Sequence, residues 1–176
     1  MRFLSISLVL WLSAVTLGSS QTPAPPIRSH NLRVIGFLTK HEWEAKLPVT
    51  PDGKQTTIHA QFTWSQNGQA IRVSNQFVAD GKARPYLEGL YMWDPQQRTI
   101  VFWYVDAEGS LTRGKMKTEG GKLVHEFDQI APDGKSVAYV AKVTPQAEHA
   151  WENEIFERNG TELKPMVNVR YEIASE

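Results

Sequence analysis

Four polar side chains fall where this sequence otherwise places apolar ones: His41, Asn75, His125 and Asn153. Each sits on the apolar side of a segment that alternates between apolar and polar residues, so each is expected to face a core. A buried polar group without a partner costs about 1–3 kcal/mol, so these positions require a hydrogen-bond partner from protein, water or ligand. The same faces carry large aromatics, among them Trp43, Tyr91, Phe127 and Trp151. An aromatic lining with a few inward polar groups is the composition of a small-molecule pocket. It is also the composition of a solid core, which aromatics dominate in any case.

His125 admits two more reactive roles. An imidazole near neutrality inside a pocket suits general acid–base work, with His41 or Tyr91 as partner and Asn153 or Tyr91 orienting a substrate. A single neutral imidazole in an apolar cavity could also ligate haem iron. Other chemistries lack their residues. The histidines at 30, 41, 59, 125 and 149 show none of the short-range pairing that metal sites on strands or helices use. There is no cysteine, hence no thiol chemistry and no disulfide. No Gly-x-Ser-x-Gly elbow and no Gly-rich phosphate loop is present.

The elements that must carry these residues are marked by turn signals at nearly even spacing. They are Pro51-Asp52-Gly53, Asn67-Gly68, Asp80-Gly81, Asp94-Pro95, Glu108-Gly109, Gly120-Gly121, Pro132-Asp133-Gly134, Pro145-Gln146 and Asn159-Gly160. Such pairs tolerate the positive φ of tight hairpins, and their spacing predicts about ten antiparallel strands joined in sequence. A meander of that length closes on itself, because closure removes its exposed edges. The expected fold is all-β: an up-and-down antiparallel β-barrel of about ten strands with a short N-terminal helical segment over residues 27–37.

Period-two reading puts Ile58, Ala60, Phe62 and Trp64 on one face, then Ile71, Val73, Asn75 and Phe77. Leu87, Gly89, Tyr91 and Trp93 follow, then Leu123, His125 and Phe127, then Trp151, Asn153 and Ile155. Leu163, Val167, Val169, Tyr171 and Ile173 complete the set, against an opposite face bearing Lys164, Arg170 and Glu172. Arg113, Lys115 and Lys117 also share a face. In a lipid-facing barrel each mid-strand Lys or Arg would cost about 2–4 kcal/mol, so the chain is not expected to be membrane-embedded. The segment Thr99–Asp106 is apolar on both faces, and its outer side is expected to lie under residues 27–37 or in a homodimer contact.

The N-terminus reads as an export signal. Met1-Arg2 precedes an apolar run to Leu17 and the small residues Gly18-Ser19-Ser20, so residues 1–20 are expected to be a cleaved signal peptide. Residues 21–26 form a Pro-rich tether, and residues 27–176 one barrel domain. The expected destination is the periplasm or the exterior. Loss of residues 1–20 removes Arg2 and no acidic residue, changing 19 basic against 19 acidic to 18 against 19, a net charge of −1. That balance argues against nucleic acid as a partner.

Tyr86-Leu87-Glu88-Gly89-Leu90-Tyr91-Met92-Trp93-Asp94-Pro95, followed by Ile100-Val101-Phe102-Trp103-Tyr104-Val105-Asp106, resembles small exported bacterial proteins of the lipocalin-like (calycin) group. The resemblance implies an extended, Trp-bearing first strand, here Phe37–Pro48, and a lumen for a small apolar molecule, as in ten-strand fatty-acid-binding and haem-binding barrels. The expected function is therefore a barrel that binds a small apolar or amphipathic molecule and needs no cofactor. The alternatives are a cofactor-free isomerase, cyclase or hydrolase using the inward histidines, and a haem-binding barrel.

Overall fold

The computed structural model describes residues 26–146 and 149–175. The expected signal peptide and all of the tether except Pro26 lie outside the described residues. Ten strands form: β1 (Glu42–Lys46), β2 (Thr56–Trp64), β3 (Ala70–Ala79), β4 (Lys82–Asp94), β5 (Thr99–Asp106), β6 (Leu111–Glu119), β7 (Lys122–Ile130), β8 (Ser136–Gln146), β9 (Ala150–Asn159) and β10 (Glu162–Ile173). Each is hydrogen-bonded to its sequence neighbours, and β10 returns to β1, so the antiparallel sheet closes into an up-and-down barrel. Asp80-Gly81 and Gly120-Gly121 make two-residue hairpins with positive φ at both residues, the geometry that matches strand twist. Pro145-Gln146 is not a turn. Both residues extend β8, with Pro145 opposite Trp151 and Gln146 opposite Ala150.

One 3₁₀ helix, His30–Lys40, precedes β1. Leu32, Ile35 and Leu38 recur every third residue and all three are buried, which is the pattern that a helix with three residues per turn lines up on one face. Phe37–Lys40, expected to begin the first strand, belongs to this helix, and β1 is confined to Glu42–Lys46. The lead-in to the helix is tied to the β2–β3 hairpin. The Ser29 amide donates to the Gly68 carbonyl at 2.8 Å, and the Gln69 side-chain amide donates to the Ile27 carbonyl at 2.9 Å. The helix thus plugs the barrel end at which β2 finishes and β3 starts.

Two β-bulges break the period-two pattern, and both follow a proline. Gln76 pairs with Pro85 while Asn75 pairs with Leu87, leaving Tyr86 as the extra residue of β4. In β10, Pro165 pairs with Phe156 and Val167 with Ile155, leaving Met166 extra. Proline cannot donate to a ladder and is tolerated inside a sheet at such breaks. The second bulge reverses the faces before it: Leu163 stands opposite Arg158 and is exposed, while Lys164 stands opposite Glu157.

Inside the barrel two glycines make room for aromatics of β5. Gly89 lies opposite Tyr104, and Gly114 lies opposite Phe102. A Cβ on Gly114 would overlap the Glu126 carbonyl oxygen and sit 2.8 Å from Phe102 Cζ. A Cβ on Gly89 would overlap the Trp103 carbonyl oxygen and the Tyr104 ring. The two β5 rings stack on each other at 5.0 Å in the space so left.

The outer surface carries charges, including a Lys117–Glu126 pair at 3.3 Å and a Lys122–Glu154 pair at 3.6 Å. No helix among the described residues is long and apolar enough to cross a membrane. Residues 27–37 do not cover the outer face of β5. The helix packs chiefly against β2, β3 and β4, leaving Trp103 50% and Val105 52% exposed. Replacing Gly114 by Ala should cost at least the roughly 1–3 kcal/mol of an overpacked core, read as a lower urea midpoint. Gly36→Ala, whose added carbon would meet Trp64 at an ordinary 3.9 Å, should leave the midpoint unchanged or raise it.

Candidate functional site

The inward faces do not fill the barrel. They enclose a cavity of about 440 Å³, lined from β2 through β10 with Leu38 of the helix at its closed end. That volume is within the range of sites for small organic molecules. The small inward residues Ala60 and Ala141 contribute to the space. At the opposite end lie Tyr86, Gln129, Tyr139 and Met166, so both bulge residues face the open mouth. Bulges commonly re-aim a side chain beside a site, and here each adds one residue to the lining.

Strand direction places the deep polar groups. β4 and β8 end, and β7 and β9 begin, at the helix-plugged end. Tyr91, His125, Trp151 and Asn153 therefore project into the closed half of the lumen. The Tyr91 hydroxyl and His125 Nε2 are 3.3 Å apart, with the His125 ring edge-on to Phe102 at 5.3 Å. Burial pushes the imidazole down to about 4, opposed in part by the Leu123 backbone, although Nδ1 has no partner in hydrogen-bonding geometry. Burial likewise pushes the Tyr91 phenol up to about 12, with Tyr104 acting in the opposite direction. At neutral pH both groups are uncharged. One nitrogen of the neutral ring donates and the other accepts, so whichever role Nε2 takes with Tyr91, Nδ1 is left with the other.

Four lining residues each hold a buried polar atom with no partner among the described residues: Asn75 Oδ1, His125 Nδ1, Trp151 Nε1 and Asn153 Oδ1. The surrounding wall is aromatic. Trp151 and Tyr171 stack at 3.8 Å with an interplanar angle of 3°, and Phe127 stacks on Tyr139 at 5.5 Å. No cluster of three or more potential metal-ligating side chains occurs among the described residues.

Six of the candidate residues line this one cavity: Asn75, Tyr91, His125, Phe127, Trp151 and Asn153. Two do not. His41 caps the helix in an extended conformation and is exposed, so it cannot partner His125. Its parity with Trp43 is misleading because β1 begins only after it. Trp43 is 1% exposed but belongs to the closed end, where its indole N–H donates to the Leu38 carbonyl at 2.8 Å. Period-two reasoning misses lining residues of two kinds. Tyr86 and Met166 are bulge residues, for which the preceding prolines are the available signal. Phe102 and Tyr104 lie in a strand apolar on both faces, where alternation carries no information.

No family model and no curated protein matches this chain. Among solved structures, that of Rv2717c from M. tuberculosis is similar, with a TM-score of 0.54 and 10% identity over 85% of this chain and 100% of that one. At that identity the likeness extends to the fold alone.

The His125 burial has a consequence for stability. The imidazole titrates near 6.5 in the unfolded chain and about 4 in the folded one, so between those values the unfolded state holds the extra proton. Stability should be complete above that window and fall by about 3 kcal/mol as pH drops through it. His125→Gln should flatten this slope, most visibly in urea titrations above the carboxylate range. An unchanged slope in the variant would mean that His125 is not buried neutral.

Proposed function

We propose that this chain is an exported, non-catalytic binding protein that holds a small apolar or amphipathic molecule in the lumen of its barrel. The observation that carries the reading is the cavity with its aromatic wall and few polar residues. A molecule that fills it buries that wall, and a lining side chain that turns to meet it gains a partner for a polar atom that costs about 1–3 kcal/mol unpaired. Water can satisfy the polar atoms but gains nothing from the rings. The leader at residues 1–20 supports export.

Two observations weigh against the alternatives. General acid–base catalysis works best with groups poised near the operating pH, whereas His125 is held at about 4 and Tyr91 at about 12. With His41 at the surface, no second imidazole among the described residues lines the site. Haem is the poorer occupant because His125 Nε2 is engaged by Tyr91 and no Lys or Arg among the described residues lines the cavity to meet its propionates.

Tryptophan fluorescence during titration with retinol, fatty acids, aromatic lipids and haem tests the reading. At least one member should bind saturably, one per barrel. Val143 is buried in the lining, and Val143→Phe should weaken that binding by roughly tenfold or more at a stability cost of about 1–3 kcal/mol. Trp103→Ala, on the outer face, should leave binding unchanged. Loss of binding in Trp103→Ala, with none in Val143→Phe, would move the site to the outer surface.

A further inference from the structure

The charge pattern of the cavity narrows its occupant, on the premise that the lumen is the binding site. We propose that the lumen selects uncharged molecules, an apolar body bearing neutral hydrogen-bonding groups such as a hydroxyl or carbonyl, and rejects carboxylates and sulfonates. The described residues lining the cavity include no Lys, Arg, Asp or Glu. Its polar atoms are instead amide oxygens, an indole N–H, an imidazole and phenols, all able to pair with a neutral hydroxyl or carbonyl. A hydroxyl can both donate and accept, whereas a carboxylate only accepts.

An ion transferred into such a site loses its hydration and finds no opposite charge, a cost of several kcal/mol after relaxation. His125 does not relieve it, since its imidazole stays neutral under ordinary conditions. The mouth does not favour anions either. The carboxylates of Asp106 and Glu108 lie near enough to Tyr86 to push its phenol up, after burial. Cations at that end include Lys54 and Lys135, paired with Asp52 at 3.3 Å and Asp133 at 2.7 Å, Lys164 opposite Glu157, and the exposed Lys82 and Arg84; none of these lines the cavity.

Matched pairs of probes test this on the purified protein. Phenylnaphthylamine and anilinonaphthalene sulfonate share a fluorescent scaffold and differ in one sulfonate. Dodecanol and dodecanoate, used as competitors above the pKa of the acid, differ in one carboxylate. The neutral member of each pair should bind at least roughly tenfold more tightly, and the preference should disappear in Val143→Phe together with binding itself. An anion that binds as tightly as its neutral counterpart and is lost in Val143→Phe would overturn the charge selection and leave the lumen reading intact. Anion binding that is salt-sensitive and lost in Arg84→Ala would overturn it too, by placing the head group at the rim. If no probe binds, the lumen reading falls and this inference falls with it.

Discussion

The barrel closes through its shortest strand. β1 has five residues, pairs with β10 at only two positions, Trp43 with Ile173 and Glu44 with Glu172, and yet is the strand that joins the two ends of the sheet. Hydrogen bonds along so short a seam are too few to hold it alone. Trp43 adds what is missing. Its ring packs edge-on to Trp151 at 6.2 Å, and its indole N–H bonds the Leu38 carbonyl, locking β1 to the helix. Seam and plug are therefore one construction. If Trp43 let go, the barrel would open along β1 and lose its floor at the same place.

With the ring closed, a ten-strand barrel has more interior than its side chains need to fill. The sequence leaves that interior partly open by placing small residues at several inward positions. Gly89 and Gly114 let the β5 aromatics lie flat across the wall, while Ala60 and Ala141 spend little volume. Small inward residues beside large rings give a smooth apolar wall around a void. Four buried polar atoms of the lining residues find no partner among the described residues, and the proposed occupant of the lumen rests on that wall and that void.

Much of this was legible in the residue pattern, for reasons that differ by element. Hairpins such as Asp80-Gly81 and Gly120-Gly121 announce themselves because few residues accept their φ angles, and strands with one wet face announce their parity. His125, Phe127 and Asn153 were accordingly placed on the correct face. The pattern failed where backbone geometry departs from ideal period. Carrying parity across Pro165 put Leu163 inside, although the bulge at Met166 turns it out. Carrying strand parity back across residue 41 put His41 inside, although a helix with a period of three ends there. The doubly apolar β5 held no parity signal, and the exposed Trp103 that results has no covering element among the described residues.

The central claim is that the lumen, and not the apolar outer face of β5, takes the ligand. Each tryptophan indole N–H gives its own nuclear magnetic resonance signal, so those of Trp151 and Trp103 can be followed separately as a neutral apolar molecule such as retinol is added. The account predicts that the signal of Trp151, a residue of the cavity wall, shifts and saturates with one molecule per barrel while the Trp103 signal stays in place. A shift at Trp103 with Trp151 unmoved would contradict it.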